Sequence, residues 1–148
     1  MNLSAFAAIT GALFDLVRAE PPVSANVFRA RDRDNPVAEQ YADAINVQFD
    51  GGQPYPGAIM GAPIDWDSRF TVELFARTTA GTADLAVDPL MVKVFKRLLA
   101  DTTLGGLVDE IGAPTIEAEY TAEQKKTGWV RMTFPVKHRT TNLTLEQA

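Results

Sequence analysis

Few residues of this chain have the type and spacing for chemistry. His138 is the only histidine; it lies in residues 127–140, TGWVRMTFPVKHRT, a stretch with Arg131, Lys137 and Arg139 but no acid. A nucleophilic triad would need this imidazole oriented by a carboxylate and set against a hydroxyl. There is no Gly-x-Ser-x-Gly elbow to supply one. Asp65-Trp66-Asp67 places two carboxylates at i and i+2, as calcium loops do. The further oxygen ligands and the bidentate Glu of such a loop are missing, so we read the pair as a solvated loop end. Gly51-Gly52 and Gly105-Gly106 match neither a phosphate-binding loop nor a dinucleotide fingerprint and read as turns. Arg29, Arg31 and Arg33 alternate, but Asp32 and Asp34 dilute any anion site. We expect no catalytic residue, no cofactor and no metal, with His138 a partly buried structural residue. A small enzyme pairing His138 with Asp65 or Asp67 is the remaining chemical alternative.

Composition points the same way. At 148 residues one domain, spanning 1–148, is the expectation, and 46% hydrophobic residues suffice for one core. The absence of cysteine excludes disulfides and thiolate sites, and a single histidine excludes a multi-histidine metal site within one chain. A net charge of −5 makes the chain a poor match for nucleic acid. No apolar run approaches membrane-spanning length, so no membrane partner is expected. The charge is uneven, however. Five acids and no Lys or Arg fall in 109–123, whereas 125–148 holds Lys125, Lys126, Arg131, Lys137 and Arg139 with Glu146 alone opposing. Such asymmetry serves pairing within the chain or between copies.

The elements that must position these residues follow from periodicity. Residues 3–19 carry Leu3, Phe6, Thr10, Leu13 and Val17 at helical spacing, with Asn2 or Ser4 to cap the start and Glu20-Pro21-Pro22 to stop it. The early basic residues of a signal peptide are missing, and Asp15 and Arg18 interrupt the apolar stretch, so a helix is the expectation there. A strand near 24–31 leads to a turn at Asp34-Asn35-Pro36. A second alternates Ile45, Val47 and Phe49 and ends at Asp50-Gly51-Gly52. A third alternates Phe70, Val72, Leu74 and Ala76. Asp88 and Pro89 suit the cap and first position of a helix with Leu90, Val94 and Leu98 in one row and Met91, Phe95 and Leu99 beside it, all expected in the core. LVDEIG, at 107–112, reads as one further helical turn.

The last two strands form a hairpin whose register can be argued. Ile116, Ala118 and Tyr120 must share the core face with Val130, Met132 and Phe134, so opposed residues have even number sums. A one-residue slip would expose several side chains worth roughly 1.5–3 kcal/mol each. Glu117 and Glu119 then lie beside Arg131. Pro135 removes a ladder donor, so its strand should be at an edge or bulged there, with an edge open to another subunit.

Residues 53–66 are too rich in Pro and Gly for regular structure and too apolar for a solvated loop. Two readings stand: the segment folds back over the sheet and buries its own apolar groups, or Tyr55, Ile59, Met60, Ile64 and Trp66, with Arg131 and Lys137, form a subunit interface.

The element order, the strand VELFART at 72–78, the helix after it and the closing V-x-x-R-T at 136–140 resemble the bacteriophage tail terminator family, the minor tail protein U or tail completion proteins. The likeness covers roughly residues 43–141 and carries over no individual site residue. It implies an α+β fold: a mainly antiparallel sheet of about four to five strands with two main helices packed on one face. It implies self-association, commonly as a hexameric ring. That ring would cap the tail tube, end its polymerisation and offer the head-attachment surface. The implied partners are the chain itself, the tail tube protein and a head-completion or connector protein. The implied place is the head–tail junction of the virion, after synthesis in the bacterial cytoplasm. A head–tail connector of similar fold is the alternative.

Overall fold

The computed structural model describes residues 3–31, 41–55, 61–121 and 126–148. The expected turn at 34–36, with Arg33, lies outside them. The chain forms α1 (Ala5–Arg18), β1 (Val27–Arg29), β2 (Asp43–Pro54), β3 (Ile64–Thr78), α2 (Ala83–Ala100), a 3₁₀ turn at Leu104–Gly106, β4 (Glu110–Ile111), β5 (Thr115–Thr121) and β6 (Lys126–Thr140). The sheet order is β1-β2-β3-β6-β4, and β5 pairs with β6 on the same side as β4, end to end with it. Only the β1–β2 pairing is parallel among the described residues. This is the expected α+β fold with six strands rather than four to five.

α1 begins where Ser4 Oγ accepts the Ala7 N–H at 3.2 Å, satisfying one of the donors that a helix start leaves unpaired. Ile9, Leu13 and Val17 are buried, while Leu3 precedes the helix and stays exposed. At its other end the Arg97 guanidinium of α2 donates to the carbonyls of Leu16 (3.0 Å), Val17 (3.3 Å), Ala19 (2.9 Å) and Pro21. The carbonyls that a helix end leaves unpaired are thus capped from a distant part of the chain.

α2 starts earlier than expected, after Thr82. Asp88 is therefore not its cap, and Pro89 lies inside the helix. The proline withholds the N–H that would bond the Leu85 carbonyl, but Leu85 and Pro89 are both exposed, so water can take that carbonyl. Asp84 supplies a carboxylate in the first turn, where the helix dipole favours one. Val87, Leu90, Val94 and Leu98 are buried as one row. Phe95, expected in the core, is exposed, because it sits on the flank of α2 turned away from Arg97 and α1.

The buried residues of both helices join those of one sheet face in a single cluster, including Ile45, Val47, Phe70, Val72, Leu74, Met132 and Phe134. We call this the core face. The expected alternation holds in β3 and β6 and at Ile45 and Val47 of β2, but Phe49, the third of that row, is exposed although its ring meets Phe6 and Phe70.

Three expectations at element ends are corrected. Gly51-Gly52 does not end β2; the strand continues to Pro54 through a register shift between Phe49 and Gly51. Gly51 takes φ 121°, a backbone conformation that L side chains rarely adopt, so this bulge favours glycine. Only the two ends of the 53–66 segment are strand: β2 runs to Pro54 and β3 begins at Ile64, so Asp65 and Asp67 are ladder residues rather than a loop end. The 107–112 segment holds β4 instead of a helical turn. Ile111 is drawn into the core beside Val136, and a lone helical turn nucleates poorly against that burial.

The hairpin register is as argued. Ile116 faces Met132, Ala118 faces Val130 and Glu117 faces Arg131. Burial is not as expected: every residue of β5 is exposed. Pro135 does not leave an edge open either. β6 is central, with β3 along its whole length, and Pro135 sits where its other partner changes from β5 to β4. Its carbonyl accepts the Gly112 N–H at 2.8 Å, so the missing donor falls at the junction between two strands.

Candidate functional site

The residues with chemical potential separate onto the two faces of the sheet. Side chains alternate across a strand, so His138 and Ser68 point to the core face and Asp65, Asp67, Lys137 and Arg139 to the opposite one. The pairing of His138 with Asp65 or Asp67 is thereby not assembled.

His138 is 1% exposed. Its Nε2 lies 2.7 Å from Ser68 Oγ, and its ring meets Phe6 edge-on at 5.1 Å and Phe70 at 6.5 Å. Burial pushes its pKa below the ordinary histidine value, with Asp109 opposing weakly from a distance. Nδ1 has no partner among the described residues, so no carboxylate orients the ring as a triad would require. The Ser68 hydroxyl faces the core, and β2 closes over it: a Cβ on Gly52 would come 2.6 Å from Ser68 Oγ. A substrate has no approach to that oxygen. Serine and histidine here do the work of a buried polar contact.

The seven residues expected at a subunit interface fall in separate places. Trp66 is half-buried on the core face, where its Nε1 donates to Thr140 Oγ1 at 2.8 Å and Phe6 packs edge-on at 5.2 Å. Ile64 starts β3 opposite Thr140 and is half-buried. Tyr55 and Lys137 meet on the opposite face. The Tyr55 hydroxyl donates to Asp67 Oδ1 at 3.2 Å, and Lys137 Nζ stands 5.9 Å from the Tyr55 ring centre. The tyrosine hydroxyl, followed by the Asp67 carboxylate, holds the Lys137 ammonium above its usual pKa. Arg131 lies further along the same face, ion-paired with Asp50 at 3.1 Å, and its Nε is buried without a partner among the described residues. Ile59 and Met60 lie outside the described residues.

Beside Tyr55, Asp65 takes the Arg139 guanidinium at 2.8 and 3.3 Å. That hydrogen-bonded guanidinium lowers the carboxyl pKa. Both groups are exposed, so the pair orients two strand ends and adds little stability. Among the described residues no group of three acids or histidines could hold a metal ion.

Sequence reasoning missed a recess on the opposite face. Phe28, Asn46, Glu73, Phe75 and Trp129 line a cavity of about 110 Å³. Phe75 is buried at its floor with Trp129 edge-on at 4.6 Å, and Asn46 accepts the Arg31 N–H at 2.9 Å through Oδ1. The signal was present: Phe75 is the aromatic member of an otherwise polar row in β3, and Trp129 has the same status in β6.

Family models give no match to this chain, and no curated protein matches it. No helix among the described residues is long and apolar enough to cross a membrane.

Proposed function

We propose that this chain is a ring-forming tail terminator. It caps the tail tube at the head–tail junction, ends its polymerisation and offers the surface to which the head attaches. One observation carries this reading beyond the sequence resemblance. The sheet ends in two different unpaired strands, β1 on one side and β5 on the other, among the described residues. Unpaired edges of unlike sequence invite head-to-tail association, and a head-to-tail contact that closes gives a ring, with a hexamer as the expected size. The alternative chemical reading is weakened by the geometry of His138, whose serine partner is sealed in the core. In this reading the β2–β3 hairpin end, with Tyr55, Ile64, Trp66 and Lys137, extends the subunit contact and Arg131 supports it from the same sheet; Ile59 and Met60 belong to the same proposal.

The test is to add the protein to polymerising tail-tube protein of the same phage and image the products by negative stain. Density at one tube end and arrested elongation are expected. Tubes that grow at an unchanged rate with bare ends would overturn the reading, and attachment to filled heads in place of tubes would assign the chain to the connectors.

A further inference from the structure

β5 lies at the margin of the helix layer, reached by α2 only in part. Ile116 and Tyr120 continue the core face of β6, yet they are 48% and 54% exposed. Arg97 marks the flank of α2 that faces α1, and Phe95, on the other flank, is itself exposed. Ile116, Ala118 and Tyr120 thus form an exposed apolar shelf along a backbone edge that is unpaired among the described residues.

The opposite face of β5 carries Glu117 and Glu119. These acids act against pairing of β5 with its own copy. Antiparallel pairing centred on Ala118 would set Glu117 against the partner's Glu119, and like charges directly opposed destabilise a ladder. The other edge, unpaired among the described residues, presents a cation. β1 presents Phe28 on that same face, with the Arg31 guanidinium 5.4 Å from its ring centre. On the core face α1 covers β1, tied down where Arg29 Nη2 donates to the Ala7 carbonyl at 2.8 Å.

We propose that the β5 edge of one copy takes the β1 edge of the next. The sheet then continues across the boundary, and Glu117 and Glu119 meet the Arg31 end of the neighbour's β1. The neighbour's α1, carried over its β1, descends on the shelf of Ile116 and Tyr120. Main-chain pairing supplies affinity, the shelf supplies apolar burial, and the charges set which edges meet. This rests on the ring reading above and names the surfaces that build the ring.

The chain is tested by light scattering coupled to size exclusion, alone and with tail tubes. Glu117→Arg combined with Glu119→Arg changes only exposed groups and should weaken assembly roughly tenfold or more. Adding Arg31→Glu should restore it. Because Arg31 also serves its own fold, a second measurement avoids that substitution. The chain has no cysteine, so Ala118→Cys and Arg29→Cys, on corresponding faces of their strands, report contact directly. Disulfides between Cys-bearing β5 and β1 of different copies are expected on oxidation of the mixed single variants. Exclusive β5–β5 disulfides would overturn the proposal, as would wild-type assembly by the Glu117→Arg/Glu119→Arg chain, which leaves the ring reading standing. Assembly through these edges into open fibres that ignore tubes would uphold the contact and sink the ring reading. A wild-type chain that stays monomeric with and without tubes overturns both.

Discussion

β5 and β6 are the two arms of one hairpin, each alternating apolar with polar residues, and their surroundings differ sharply. Val130, Met132, Phe134 and Val136 of β6 are buried, whereas their neighbours Ile116 and Tyr120 point the same way into solvent. Alternation decides which face a side chain occupies. What lies above that face decides whether it is buried. β6 lies under α2, which approaches so closely that a Cβ on Gly128 would come 2.6 Å from the Ala83 carbonyl. β5 lies at the margin of that cover.

The contrast can be broken at graded cost. The largest effect is expected from Phe134→Ala in β6, which empties a fully buried site and should cost about 3–5 kcal/mol in urea unfolding. The matching Ile116→Ala in β5 should stay within about 0.5 kcal/mol for the isolated chain. Equal losses at the two sites would mean that β5 is covered in solution. Next comes Gly128→Ala, which forces β6 and α2 apart and should cost about 1–3 kcal/mol by the same measurement.

A smaller, pH-dependent effect belongs to His138. Its folded pKa is depressed by burial, so the unfolded chain binds the proton more readily. The contribution is intact above the unfolded value near 6.5 and is lost as pH falls below it toward the folded pKa. Thermal midpoints should therefore decline on acidification through that window, and His138→Phe should flatten this part of the slope. The smallest change is expected from Asp65→Asn. It removes an exposed ion pair, and the unfolding midpoint should be the same in low and high salt as for the wild type.

Much of the fold was readable from the residues. The face of each long strand, the even-sum register of the last hairpin, the buried row of α2 and the inward turn of His138 all follow from periodicity, which is a local property. The misreadings share a cause, namely a partner distant in sequence. Gly51-Gly52 resembles a strand end until β3 is seen to continue the ladder past it. Asp88-Pro89 resembles a helix start until Val87 and Ala83 find their place on β3 and β6. The 107–112 segment has no strand pattern of its own and becomes one beside β6. The recess around Phe75 and Trp129 needed two strands side by side before two odd aromatics became one feature. For the proposed assembly surface, sequence supplied the acids of β5 but not the exposure of Ile116 and Tyr120, since no local pattern records where α2 ends its cover.

Arg97 has a consequence for the order in which the molecule is made. The four carbonyls it grips belong to residues 16–21, yet the guanidinium that satisfies them is synthesised some eighty residues later. A nascent α1 leaving the ribosome has a water-capped end and an apolar stripe with nothing to rest on. α1 is therefore capped only once α2 has been translated.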